Sequence, residues 1–115
     1  EVVKSVSEVP AIQFKETQFD FGKVTEGKVV DHTFTFSNNG KGTLEIKDIK
    51  TSCGCTAALV SSKSIEPGNS GTLKIELDTA KRSGKMSRTI TVLSNDTKEP
   101  NKVLTIFADV QKVNQ

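Results

Sequence analysis

Apolar and polar residues alternate along most of this chain, which is the pattern of β-strands with one buried face. The clearest stretch runs from residue 29 to residue 37. One face of it carries Val30, His32, Phe34 and Phe36, and the other carries Asp31, Thr33, Thr35 and Ser37. The same period recurs over residues 72–78, 86–93 and 104–110. Helical spacing is absent from every window of about a dozen residues, so the pattern predicts an all-β fold.

Weaker strands are predicted at residues 11–15, 19–24 and 57–60. Turns are predicted at residues 38–42, 65–68 and 94–101, where Gly, Asn and Pro collect. The apolar spacing lengthens from two to three after Ile46, which indicates a β-bulge or the end of a strand. Six to eight short strands separated by turns favour two antiparallel sheets packed as a β-sandwich, with a closed barrel as the alternative.

A chain of 115 residues is long enough for one domain. We assign residues 1–10 to a mobile lead-in and residues 11–113 to a single domain. Apolar residues make up 34% of the chain, which contains six Phe and no Trp or Tyr, so a thin, aliphatic core is expected. The chain starts at Glu1 without a Met, which is expected of a processed or trimmed form, and a signal peptide or lipid anchor would lie outside it.

The charge is nearly balanced, with 16 Lys and Arg against 14 Asp and Glu, and the two signs are interspersed. Nucleic-acid binding is not expected, because it needs basic residues gathered on one face together with aromatic side chains. No apolar run approaches the roughly 18 residues of a membrane-spanning helix, so no transmembrane segment is expected in this chain.

The two cysteines form the one chemically unusual element, Cys53-Gly54-Cys55. In an extended segment they would project from the same face with Cα atoms about 6.6 Å apart. That distance is near the upper limit for a disulfide, so a bridge would require the chain to buckle at Gly54. Such a bridge would be strained and easily reduced, which suits disulfide exchange more than stapling.

Two further interpretations of Cys53 and Cys55 stay open. Paired thiolates on one face could bind a soft metal such as Cu(I), with His32 and Met86 as the remaining candidate ligands. Zinc would lack ligands, because structural zinc requires four. Alternatively, both cysteines could be free, buried, polarisable core residues. No other cofactor is expected.

Four cationic residues, Lys81, Arg82, Lys85 and Arg88, cluster around one predicted hairpin. They are candidate partner-binding residues at a basic tip, or a solvated loop that protects a sheet edge. No pair of carboxylates has the spacing of general acid and base catalysis, and no nucleophile triad, phosphate loop or dinucleotide motif is present. The chain is therefore not expected to be an enzyme, and no catalytic residue is predicted.

Several motifs of the chain together resemble a known bacterial family, the domain of unknown function 1573, over about residues 14–110. They are Phe19-Asp20-Phe21-Gly22, Phe34-Thr35-Phe36 with Asn39-Gly40, Ser52-Cys53-Gly54-Cys55-Thr56, Ile65-Pro67-Gly68 and Ser94-Asn95-Asp96. The resemblance implies an immunoglobulin-like antiparallel β-sandwich of seven to eight strands, related to Hydin-type and major sperm protein domains.

Members of that family are usually exported, often as secreted or lipid-anchored proteins. The resemblance thus implies a periplasmic or extracellular location in the bacterial envelope, and it implies no activity. With no catalytic groups in the chain, two functions are expected. The first is a non-enzymatic binding or structural module with a protein partner or another envelope component. The second is a thiol site at Cys53 and Cys55.

Overall fold

A computed structural model describes residues 9–52 and 54–112 of the chain. Within these residues every regular element is a strand, so the all-β prediction is confirmed. The strands are β1 (Ile12–Phe14), β2 (Gln18–Thr25), β3 (Val29–Asn38), β4 (Leu44–Thr51), β5 (Thr56–Val60), β6 (Ser64–Ile65), β7 (Ser70–Asp78), β8 (Gly84–Ser94) and β9 (Asn101–Gln111). The described part of the chain contains no helix that could cross a bilayer.

The strands form two sheets, and this arrangement confirms the sandwich over the barrel. One sheet has the order β1-β3-β7-β5, and the other has the order β2-β9-β8-β4-β6. The count of nine exceeds the expected seven to eight because residues 64–65, expected within or beside a turn, pair with β4.

One pairing differs from the expected antiparallel arrangement, since β2 runs parallel to β9. The reason lies in residues 15–17, which carry the chain from the first sheet to the second without reversing its direction. Lys15 N donates to Thr35 O on the first side of this crossing, and Thr105 N donates to Thr17 O on the second. No hairpin joins β2 to β9, since β3 to β8 lie between them in the chain, so their pairing is not restricted to the antiparallel direction.

The core lies between the sheets and follows the period-two pattern. Phe34 and Phe36 of β3 are fully buried, whereas Thr33 and Thr35 face away from the core. Most other buried apolar side chains are aliphatic, and Phe14 packs on Phe36 with ring centroids 5.3 Å apart. This is the thin, aliphatic core that the composition predicts.

Two strands are irregular, and the sequence predicts the first of these irregularities. The register of β4 shifts between Ile46 and Asp48, where the apolar spacing lengthens. The register of β2 shifts between Asp20 and Lys23, and Gly22 within this bulge has φ +75°. Because L-residues are strained in that region, glycine suits this bend.

The sandwich has two ends, at which its strands begin and finish. We call the first the hub end; it contains the end of β3, the start of β4, the end of β8 and the start of β9. We call the opposite one the basic end; it contains the turns at residues 26–28, 54–55 and 79–83.

The first eight residues of the predicted lead-in lie outside the described residues, as do residues 113–115 at the other terminus. Packing against the domain is already established at Val9 and Pro10. Val9 O accepts hydrogen bonds from Lys41 N and Gly42 N, at 3.0 and 3.2 Å, and Pro10 is buried.

Candidate functional site

Gly54 and Cys55 lie in a turn at the basic end, between β4 and β5. The chain is fixed on both sides of this turn. Ser52 N donates to Thr89 O at 3.0 Å, and Cys55 O accepts from Asp78 N at 2.9 Å. The Cys55 side chain is half-buried against the core, and its Sγ lies 3.8 Å from Thr56 Oγ1.

Cys55 is disulfide-bonded, and no described cysteine is free. The sequence contains one other cysteine, Cys53, which lies outside the described residues. The interpretation of Cys55 as a free core residue is therefore wrong. A bridged sulfur also lacks the thiolate that a soft metal binds.

Gly54 is exposed in this turn. A Cβ placed on it would meet no atom within 4 Å outside its chain neighbours. The chain bends here because Gly54 and Cys55 form a turn, whereas the sequence interpretation began from an extended strand.

The other candidate metal ligands have different contacts. His32 Nε2 lies 2.6 Å from Glu16 Oε2, and the His32 ring stacks on Phe19 with centroids 3.6 Å apart. Met86, on the other sheet, is opposite Ala108 and packs against the core. No group of three or more His, Cys, Asp or Glu residues that could hold a metal occurs within residues 9–52 and 54–112. The metal interpretation is therefore not favoured.

The basic residues predicted to bind a partner do come together. Lys81, Arg82, Lys85 and Arg88 line one open, polar cavity of about 580 Å³ at the basic end. Lys81 and Lys85 are exposed, whereas Arg82 and Arg88 are half-buried. No described carboxylate is within 4.0 Å of the side-chain nitrogens of Lys81, Lys85 or Arg88. The cavity is therefore strongly cationic.

The loop that carries Lys81 is anchored and locally strained. Thr79 is fully buried, and its Oγ1 donates to Lys28 O at 2.7 Å. Two residues later Lys81 has φ +61°, the single positive φ of a non-glycine residue in the described ranges. Strain of this kind persists where the surrounding contacts hold the backbone, and it is concentrated at functional sites.

A second polar cluster, at the hub end, was not predicted as a site. Asn38 is fully buried at the end of β3. Its Oδ1 accepts from Ala11 N and Gly40 N at 3.2 and 3.0 Å. Its Nδ2 donates to Gly42 O and Ile65 O at 2.8 and 2.9 Å. One amide thus joins four backbone groups from three segments of the chain.

Asp96 completes this cluster. Its Oδ2 accepts from Ile12 N at 2.9 Å, and its Oδ1 accepts from Lys98 N and Glu99 N at 2.7 and 3.1 Å. Burial alone would raise the pKa of Asp96, but these three hydrogen bonds and the positive charge of Lys102 lower it below its ordinary value. Asp96 is therefore a charged structural anchor.

Position 40, beside this cluster, has no room for a residue larger than glycine. A Cβ at this position would lie 2.2 Å from Val9 O and 2.7 Å from Ala11 N. Residues 9–11, which lead into β1, can therefore pack here only against glycine. The Asn-Gly, Pro-Gly and Ser-Asn-Asp motifs, far apart in sequence, thus meet at one end of the sandwich. Local sequence patterns do not predict this cluster, because its residues are far apart in the chain. The signal that could have indicated it is that all three motifs belong to the set that carries the family resemblance.

A protein-family model, described as "Protein of unknown function (DUF1573)", matches residues 12–110. The chain belongs to the DUF1573 family. The resemblance inferred from the motifs is therefore confirmed, and the hub end collects three of the five motif regions. No curated protein matches the chain.

Solved structures share the fold of this DUF1573 domain. A protein of unknown function from Porphyromonas gingivalis W83 superposes with a TM-score of 0.80 and 20% identity, covering 91% of this chain and 49% of that one. The ASH / PapD-like domain of human CEP192 superposes with a TM-score of 0.72 and 11% identity, covering 99% of this chain and 96% of that one. The secreted serine protease VesC from Vibrio cholerae superposes with a TM-score of 0.63 and 15% identity, covering 97% of this chain and 25% of that one.

These identities are low, so the likenesses establish an immunoglobulin-like fold and no activity. The DUF1573 domain spans about half the length of the Porphyromonas protein and a quarter of the protease. Two features of the basic end bear on function, the cationic cavity and the bridged Cys55.

Proposed function

We propose that this DUF1573 domain is a non-enzymatic binding module of the bacterial envelope that holds an acidic segment of a protein partner at its basic end. The observation that carries the proposal is the cavity lined by Lys81, Arg82, Lys85 and Arg88. Four cations around one concavity attract anionic groups.

A binding role is further supported by the strained backbone at Lys81, which the Thr79 anchor holds in place. Loops positioned by a rigid sandwich commonly carry binding residues. An acidic protein segment fits this surface better than a nucleic acid, because the cavity lining contains no aromatic side chain.

The envelope location is supported by the disulfide at Cys55. Disulfides persist in the periplasm and outside the cell, whereas cytosolic thiols are kept reduced. The fold also occurs in a secreted protease of a bacterium, to which this chain is structurally similar. Both observations agree with the export that the motif resemblance implies.

The binding proposal predicts that a poly-glutamate peptide will bind at the basic end. In an NMR titration, we expect amide shifts at residues 79–88 that disappear at high salt, because exposed charges are screened. The Lys81→Gln, Lys85→Gln double variant should bind the peptide about tenfold more weakly, since each exposed charge contributes up to about 1 kcal/mol.

A matched control is the Lys15→Gln, Lys41→Gln double variant, which removes two exposed charges elsewhere. It should bind the peptide within about twofold of the parent, because neither lysine lines the cavity. Equal weakening by the two double variants, or shifts spread over the whole surface, would show a general charge effect and overturn the proposal.

Disulfide exchange is the second candidate function, and it is favoured by the position of the bridge. Cys55 is bonded in a turn whose neighbours Ser52 and Gly54 are exposed. A bridge within the chain closes a loop of three residues, 53–55. A partner thiolate would attack one sulfur of this bridge, form a mixed disulfide and release the other sulfur as a thiolate.

This second function predicts an easily reduced bridge. Equilibration in glutathione buffers, followed by alkylation and mass spectrometry, should give a reduction potential above about −300 mV, the level below which structural disulfides resist the glutathione pool. A Cys53→Ser, Cys55→Ser double variant should show no alkylation under the same conditions. A potential below that level would assign the bridge a structural role.

A further inference from the structure

Strand β5 has one open edge. It pairs with β7 on one side and ends the order of its sheet, and no described strand pairs with its other side. Edge strands with free backbone groups readily pair with another chain, and most proteins protect them with charges, prolines or bulges. The sequence of β5, Thr56-Ala57-Ala58-Leu59-Val60, contains none of these protections.

The hydrogen-bond pattern shows which backbone groups are available. Asp78 N donates to Cys55 O, and Ser61 N donates to Thr72 O. Paired positions alternate along an antiparallel strand, so residues 55, 57, 59 and 61 face β7. The N–H and C=O groups of Ala58 and Val60 therefore point to the open edge, together with those of Thr56, which is itself buried.

The side chains beside this edge are apolar. Leu59 is 71% exposed, the largest exposure among the exposed large hydrophobic residues of the described chain. Ala57 lies on the same outer face, while Ala58 and Val60 are half-buried over the seam between the two sheets. An apolar strand with accessible backbone groups is a surface suited to strand addition.

We propose that β5 pairs antiparallel with β5 of a second copy of this chain, about a two-fold axis at Leu59. This register places Ala58 opposite Val60 of the second copy, and it joins their outward backbone groups in four hydrogen bonds. Leu59 then lies against Leu59 of the second copy, and the two four-stranded sheets become one sheet of eight strands.

A second copy suits this edge because the surface is electrically neutral and self-complementary. Residues 56–62 carry no charge. The nearest charges on the outer face, Lys74 and Glu76 of β7, stand opposite Leu59 and Ala57 and form an ion pair with each other at 3.5 Å. Antiparallel self-pairing thus brings no unpaired like charges together, and it places the small Ala58 beside the larger Val60.

The interface is short, so association should be weak. We expect analytical ultracentrifugation at concentrations up to about 1 mM to show a reversible monomer–dimer equilibrium, as small interfaces produce. Leu59→Lys should weaken dimerisation more than about tenfold, because two cations then face each other at the axis. The control Val103→Lys, at another exposed apolar position, should dimerise as the parent does.

The register proposed for the pairing of the two β5 strands can be tested separately. Residues opposite each other in a non-hydrogen-bonded pair have Cα atoms about 4.5 Å apart, within the range of a disulfide. Leu59→Cys should therefore form a covalent dimer under mild oxidation. Ala57→Cys, on the same face, should not, because it lies opposite Ser61. Its equal number of thiols also controls for exchange with the native bridge.

Three results would overturn the proposal. They are a monomer throughout the concentration range, a dimer equally sensitive to Leu59→Lys and Val103→Lys, and equal cross-linking of the two cysteine variants. A parent that stays monomeric but binds an extended peptide from another protein would assign the edge to a different partner. Each result is distinguishable from failure of acidic-peptide binding, which concerns residues 79–88.

Discussion

Replacing Asn38 by alanine should lower the free energy of unfolding by about 3 kcal/mol, because the variant leaves four backbone groups at the hub end without their partner. Two of these groups are N–H donors and two are C=O acceptors, so no single small side chain replaces the amide. For a domain of this size the melting temperature should fall by about 15 °C.

Urea denaturation followed by circular dichroism measures this change. The matched control is Asn39→Ala. Asn39 is exposed, and within the described residues its side chain hydrogen-bonds to the side chains of Ser37 and Gln13. We expect a change below about 0.5 kcal/mol for the control. A loss below about 1 kcal/mol for Asn38→Ala would contradict the view that Asn38 organises the hub end.

Replacing Asp96 by asparagine should lower the free energy of unfolding at neutral pH by about 2 kcal/mol. Both carboxylate oxygens accept backbone N–H groups, from Ile12 on one and from Lys98 and Glu99 on the other. An asparagine amide has one oxygen, so its NH₂ group would face an N–H donor, and a buried donor would lose its acceptor.

The effect should depend on pH with a definite sign. The folded-state pKa of Asp96 lies below its ordinary value of 3.8, so the charged form stabilises the fold. This stabilisation is complete well above pH 3.8 and is lost as pH falls through the folded-state pKa. The stability difference between the parent and Asp96→Asn should therefore be constant near neutral pH and shrink in acid.

The exposed Asp31→Asn substitution is the control, and it should leave both the stability at neutral pH and its acid dependence nearly unchanged. A parent and an Asp96→Asn variant that lose stability in parallel from pH 7 to about pH 2 would show that Asp96 is not a charged anchor.

Patterns within single strands predicted structure well, because one buried face requires apolar side chains at every second residue. Residues 29–37 were expected as a strand and form most of β3, and the lengthened spacing after Ile46 marks the bulge in β4. The four basic residues were expected at one hairpin and line one cavity there, since neighbours in sequence stay neighbours in a short loop.

Relations between distant segments were predicted poorly. The parallel pairing of β2 with β9 depends on a sheet crossing at residues 15–17 that no local pattern signals. The hub end depends on contacts of Asn38 and Asp96 with segments 27 and 84 residues away. Residues 38–42 and 94–101 were expected as simple turns, because Asn, Asp and Gly there satisfy turn chemistry equally well.

The sequence by itself determined the all-β class, the aliphatic core and the family, because side-chain period and local motifs are properties of consecutive residues. Only the tertiary structure decided that Cys55 is bridged in a turn, that Asn38 and Asp96 are structural anchors, and that β5 is left as an open apolar edge. These features depend on which strands become neighbours, and long-range hydrogen bonding and burial settle that choice.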